Sequence, residues 1–174
     1  MKNRLVSGSP LCRALGPVLI FLAAVVLPSC GEDNASGLPP VQRANIAVAV
    51  DPNPVIGIQN TLTGTVSAAY VVLIAETNGL GGEVLSITST VFDPVTGIQV
   101  AVTFFDSASL TVFEGGARIE PLGIMEVPQT TAYGLPDARV EADLTVSVQF
   151  QDDRGSVIVQ SILVRIVPPA PPET

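Results

Sequence analysis

The sequence predicts an all-β fold, a single antiparallel β-sandwich of seven to eight strands. Three observations carry that expectation. Two long runs near the C-terminus alternate apolar and polar residues with a period of two, the period with which strand side chains change face. Turn residues recur every eight to twelve positions along the chain. No stretch carries the 3.6-residue apolar period of an amphipathic helix.

The alternation is clearest over residues 139–151, where Val140, Ala142, Leu144, Val146, Val148 and Phe150 interleave with Arg139, Glu141, Asp143, Thr145, Ser147, Gln149 and Gln151. A helix would mix those two sets on overlapping faces. Residues 157–167 form the partner run, with Ile158, Ile162, Val164 and Ile166 on one face and only Gln160 interrupting. Asp152, Asp153, Arg154 and Gly155 between them are turn chemistry, with Gly155 able to take a positive φ. The pair reads as a long hairpin with one dry face and one wet face.

Upstream, residues 45–51 alternate and make a first strand, stopped by Pro52 and Pro54. Residues 62–76 make a second, apolar on both faces and with Tyr70 internal, which predicts a central strand covered on both sides. Residues 83–92 and 98–105 are the third and fourth strands, joined by Asp93, Pro94, Val95, Thr96 and Gly97. Residues 110–113 are a short fifth candidate. Residues 124–133 follow as an edge strand, because Pro128 has no N–H to give to a ladder. A Pro-rich tail, 168–174, closes the chain. A closed barrel would satisfy the same pattern.

Hydrophobic residues make up 47% of the 174 and charged residues 14%, which excludes a disordered chain. Fifteen Gly and fifteen Pro suit many turns and few helices. The net charge of −8 is uneven: Lys2, Arg4 and Arg13 precede every acid, and all sixteen acids follow Cys30. Such a chain lacks the basic footprint of a nucleic-acid binder and of a protein held electrostatically on anionic lipid.

The N-terminus reads as an address. A short basic segment is followed by an uncharged apolar run, 14–27, interrupted by Pro17 and too short for a comfortable membrane span. Leu27, Pro28, Ser29 and Cys30 come next, then the polar Gly31, Glu32, Asp33 and Asn34. These residues resemble a bacterial lipoprotein lipobox, matched by Leu27, Ser29 and Cys30, with Pro28 an uncommon occupant. The resemblance covers about thirty residues. It implies that 1–29 is a signal peptide removed before Cys30, and that the Cys30 sulfur carries diacylglycerol. It also implies a chain anchored to membrane lipid in the bacterial cell envelope, with Gly31 favouring the outer membrane. Two or three acyl chains, at about 0.8 kcal/mol per buried CH₂, make a stable anchor. Residues 30–44 would then be a flexible tether, reaching about 50 Å at roughly 3.3 Å per residue when extended.

Over residues 45–167 the succession of strands resembles the immunoglobulin-like domains of bacterial envelope proteins. The resemblance is carried by the turn Glu76, Thr77, Asn78, Gly79, by the pair Val127-Pro128 and by the hairpin over Asp152 to Gly155. It departs from antibody-type domains in lacking the core cysteines and tryptophan. The architecture hosts many functions and implies no activity.

Composition removes many chemistries. There is no His, no Lys after Lys2, and only Cys30 among cysteines beyond the leader. Ser-His-Asp, Cys-His, Ser-Lys and Schiff-base catalysis are therefore absent, as are Cys/His zinc sites and phosphate-loop motifs. A carboxylate-pair glycosidase remains, but no Trp and only two Tyr offer a sugar subsite. No cofactor is expected. Phe104 and Phe105 put one ring on each face of the fourth strand, and the expectation is that both faces are covered.

Two site expectations follow. An immunoglobulin-like path would gather Asn78, Asp106, Asp152 and Asp153 at one end, where hard oxygen ligands suit Ca²⁺. The competing reading is that these are ordinary turn residues, favoured there for backbone reasons. The second expectation is a partner edge at Met125, Val127, Gln129 and Thr131, where an envelope protein could add a strand. A non-catalytic anchored binding, adhesion or assembly module is the leading functional reading. A structural spacer and a small-molecule or carbohydrate binder are the alternatives.

Overall fold

The computed structural model describes residues 42–113 and 115–171. The expected signal peptide, Cys30 and most of the expected tether lie outside those residues. Among them nine strands run in chain order: β1 (Ile46–Asp51), β2 (Val55–Gln59), β3 (Val66–Glu76), β4 (Gly82–Phe92), β5 (Gln99–Asp106), β6 (Arg118–Ile119), β7 (Ile124–Tyr133), β8 (Ala142–Asp152) and β9 (Val157–Val167). One helical turn, α1 (Ser107–Leu110), and a 3-10 turn at Pro136–Ala138 complete the described elements.

The strands form two layers. In one, β3 lies between β1 and β7. The other runs β2-β9-β8-β4-β5, with β6 against the start of β4. The layers meet face to face: the Ser89 hydroxyl on β4 donates to Gln129 Oε1 on β7 at 2.6 Å, and the Thr103 and Thr131 hydroxyls of β5 and β7 lie 3.1 Å apart. β2 pairs antiparallel with β3 and parallel with β9, so it is hydrogen-bonded into both layers. A first strand split between two layers, with the hairpin β8–β9 beside β4, is the arrangement of an immunoglobulin-like sandwich. Every pairing is antiparallel except β2 with β9, where the structure departs from a purely antiparallel sheet.

The core follows from the period of two. Val66, Ala68, Tyr70, Val72 and Ile74 of β3 face Val84, Ile87 and Val91 of β4 and Ala142, Leu144, Val146, Val148 and Phe150 of β8 in one buried cluster. Leu110 of α1 is also completely buried in it. Burying one such side chain stabilises by about 1.5–3 kcal/mol, so the alternation itself selects the register.

Four expectations are corrected. The strand expected from residue 62 begins at Val66, because Asn60 to Gly64 form a turn in which Gly64 takes φ +71°. Residues 110–113 are not a strand: Asp106 caps α1, whose apolar end plugs the core. β3 is central, yet its outer residues Ala69, Val71, Leu73 and Ala75 carry no covering layer among the described residues. Finally, β5 is not covered on both faces: Phe104 is 60% exposed, while Phe105 turns inward against Phe113 with ring centroids 6.2 Å apart.

Candidate functional site

Three of the four expected calcium ligands bond to backbone groups, and the fourth, Asp153, to a guanidinium. Asp106 Oδ1 accepts from the Ser109 N–H at 2.8 Å and from its hydroxyl at 2.6 Å, which is a helix N-cap. The Ser109 hydroxyl and N–H hold the Asp106 carboxyl below its usual range. Asp152 is almost fully buried, and its Oδ1 accepts from Ser156 N at 2.7 Å and Arg154 N at 3.0 Å. Its Oδ2 reaches Ala44 N at 3.4 Å. Burial opposes ionisation of Asp152, but the backbone donors outweigh it and the pKa is lowered. Asp153 pairs with both terminal nitrogens of Arg118 at 2.8 and 3.1 Å, and this guanidinium depresses its pKa. Asn78 donates through Nδ2 to the Arg43 carbonyl. Among the described residues no three His, Cys, Asp or Glu side chains form a group suited to a metal ion. Turn N–H groups hold the oxygens of Asp106 and Asp152, and the Arg118 guanidinium holds those of Asp153.

What these turns build instead is a clamp on the N-terminal lead-in, residues 42–45. The residue that composition and spacing did not single out is Glu76, 2% exposed at the end of β3. Its Oε1 accepts from Asn78 N at 2.9 Å and Asn45 N at 3.4 Å. Its Oε2 accepts from Gly79 N at 2.8 Å and Leu122 N at 3.0 Å. Burial works against the charge, yet the four backbone donors prevail and the carboxyl titrates below its usual range. One carboxylate thus joins the lead-in, the β3–β4 turn and the loop before β7. The signal was an acid two residues before the Asn-Gly of a turn, a position from which a side chain can accept from the turn's own N–H groups.

The expected partner edge resolves into two parts. β7 has β3 on one side and no strand on the other among the described residues, so it is an edge. However, Met125, Val127, Gln129 and Thr131 send their side chains into the core. Any partner there would meet backbone and the outward residues Ile124, Glu126, Pro128, Thr130 and Ala132 instead. The inward polar pair has its own role. Tyr70 OH on β3 lies 3.1 Å from Gln129 Oε1 and 3.0 Å from Thr131 Oγ1 on the neighbouring β7, and Ser89 and Thr103 extend this polar network to the other layer. Gln129 Nε2 is the one buried side-chain nitrogen or oxygen left without a partner among the described residues.

Beside the first half of β7 runs a groove of about 690 Å³. Its lining includes Phe113, Arg118, Ile119, Ile124, Met125 and Glu126. Arg118 is not a free cation, since Glu120 and Asp153 both hold it at 2.9 and 2.8 Å. The groove offers a strand edge, several apolar side chains and one neutralised charge cluster. It offers no paired nucleophile and base.

No family model matches the chain, and no curated protein matches it. Solved structures do. A protein from Bordetella pertussis given the name ApaA is 13% identical over 75% of this chain and 98% of its own, with a TM-score of 0.56. A structural-genomics target is 12% identical over 72% of this chain and 87% of its own, with a TM-score of 0.53. At these identities the likeness shows the fold alone. The CARDB domain of a Pyrococcus furiosus protein, in complex with di-metal ions, is 15% identical over 75% of this chain and all of its own. Its TM-score of 0.37 carries no argument about this chain.

Proposed function

We propose that this chain is a non-catalytic lipoprotein of the bacterial envelope, held by acylated Cys30, whose sandwich takes a protein partner by strand addition along the first half of β7. The free edge of β7 lying beside an apolar groove is the observation that supports this reading. An extended segment laid there would bond to the β7 backbone and place alternate side chains in the groove. Pro128 breaks the row of donors, so Ile124–Val127 is the stretch that can be extended. The lipobox resemblance supports the anchor, and the lack of any His, of Lys after Lys2 and of Cys after Cys30 supports a non-catalytic role.

The test has two arms. Mass spectrometry of the N-terminal peptide should find Cys30 as the first residue, carrying acyl groups; a different first residue ends the anchored reading. Capture from detergent-solubilised envelope should enrich a partner with the native chain and lose it with Glu126→Pro, which removes an edge donor. Equal capture by both chains would move the contact away from β7, and no enrichment with either would favour a structural spacer.

A further inference from the structure

The backbone of β7 shows which groups are on offer at its free edge. The Glu76 N–H donates to the Gly123 carbonyl at 3.0 Å, and the ladder to β3 continues without a register shift from Ile124 opposite Ala75. Bonding direction alternates along a strand, so Met125, Val127 and Gln129 bond to β3. Ile124 and Glu126 turn both N–H and C=O outward, and Pro128 adds a carbonyl without an N–H. The charge around these groups is one-sided. β1, β3 and β7 contain no basic residue. Arg118, in the groove lining, already serves Glu120 and Asp153. Among the described residues the Glu126 carboxylate has no ion pair. Its neighbours on the outer face are apolar: Leu73 opposite it on β3, and Ile124 and Pro128 along β7.

We infer, on the reading that β7 takes an added strand, that the partner segment is extended and carries Lys or Arg opposite Glu126, with an aliphatic residue on either side. In an antiparallel pair the residue opposite Glu126 exchanges both backbone bonds with it. Its side chain lies on the same face, with Cβ atoms roughly 5 Å apart. The residues before and after it face the other way, as Met125 and Val127 do, on the side of the groove lined by Phe113 and Ile119. Backbone bonds accept any sequence, so the selection rests on Glu126. An uncharged strand would bury part of this carboxylate without a partner, and an acidic one would set like charges opposite each other. Only a cation turns the edge charge from a guard into an attraction, which is selection by exclusion of the wrong strands. A second copy of the chain does not meet this requirement. The two basic residues on the described strands, Arg118 and Arg165, already pair with acids of their own chain. The occupant is therefore a different protein, complementary to the net charge of −8 carried here.

Two probe peptides, blocked at both ends, read Thr-Val-Thr-Val-X-Val-Thr-Val-Thr, with X either Lys or Glu. Each is titrated into the isotope-labelled purified chain to about 2 mM, where even a millimolar contact is more than half-formed, and backbone amide shifts are followed by NMR. The Lys peptide should move the Ile124 and Glu126 amides. It should bind at least about fivefold tighter than the Glu peptide, since an opposite pair replaces a like one. In Glu126→Lys the preference should reverse, with the melting temperature little changed because this side chain is exposed. Equal affinities of the two peptides for the native chain, with the β7 amides moving, overturn the inference and leave strand addition standing. A Glu126→Lys chain that still prefers the Lys peptide does the same. Still β7 amides with both peptides overturn the inference and strand addition together.

Discussion

Replacing Glu76 by Gln keeps the side chain's shape and removes its charge. In the native protein each carboxylate oxygen accepts two N–H groups, from Asn45 and Asn78 and from Gly79 and Leu122. An amide oxygen can keep one pair, but the amide nitrogen then points its own hydrogens at the other pair. Hydrogen bonds to a charged group contribute about 1.5–3 kcal/mol each in favourable cases, and loop donors freed here can partly rehydrate. A net loss of about 2 kcal/mol at pH 7 is therefore expected, rather than the sum of four bonds. The pH dependence identifies the cause. The folded-state pKa lies below the usual glutamate value of 4.5, so the stabilisation is complete above 4.5 and disappears as pH falls through the folded pKa. Urea unfolding of both proteins from pH 7 to pH 3 should show a gap that is constant down to about pH 5 and then narrows. A gap below about 0.5 kcal/mol at pH 7, or one that stays constant to pH 3, would refute the assignment of Glu76 as the ionised hub of the clamp.

Four further outcomes follow from the packing and the turns. Phe150→Ala empties a fully buried site on β8 and should lower stability by about 3–5 kcal/mol in a denaturant melt. Gly82→Ala would drive a Cβ to 2.6 Å from Phe150 Cζ and into the Gln151 carbonyl, so a loss of about 2 kcal/mol or more is expected. Tyr70→Phe removes the buried hydroxyl that bonds to Gln129 and Thr131 of the neighbouring strand, at about 1–2 kcal/mol by thermal unfolding. Calcium at about 1 mM should leave the melting temperature unmoved, since any site with a dissociation constant well below that would raise it by mass action.

Most of the strands were legible because each buries one face, and a one-residue slip would expose Val146 or Val72 to water. β2 was not legible. It holds five residues, follows two prolines and contains Gly57, all of which argue against a strand. Its glycine is explained only by the assembled fold, where a Cβ would lie 2.8 Å from Val140 and 2.9 Å from Ile166. The short helix had a signal in Asp106 followed by Ser109, but Leu110, Val112 and Phe113 also fit an alternating strand. The roles of Asp152, Asp153 and Glu76 depend on which N–H or guanidinium groups tertiary structure brings to them, and spacing along the chain does not encode that. The outward faces of Phe104 and Val159 were hidden for a similar reason: apolar residues on a strand do not announce whether a layer covers them.

The clamp at residues 42–45 bears on mechanics. Backbone or side-chain groups of Gln42, Arg43, Ala44 and Asn45 are bonded to Asn78, Thr77, Glu76, Asp152 and Arg154, which sit on turns of both sheets. A pull applied at Gln42 must break this knot before it reaches β1, and the load is shared between the two layers instead of peeling one strand from its neighbour.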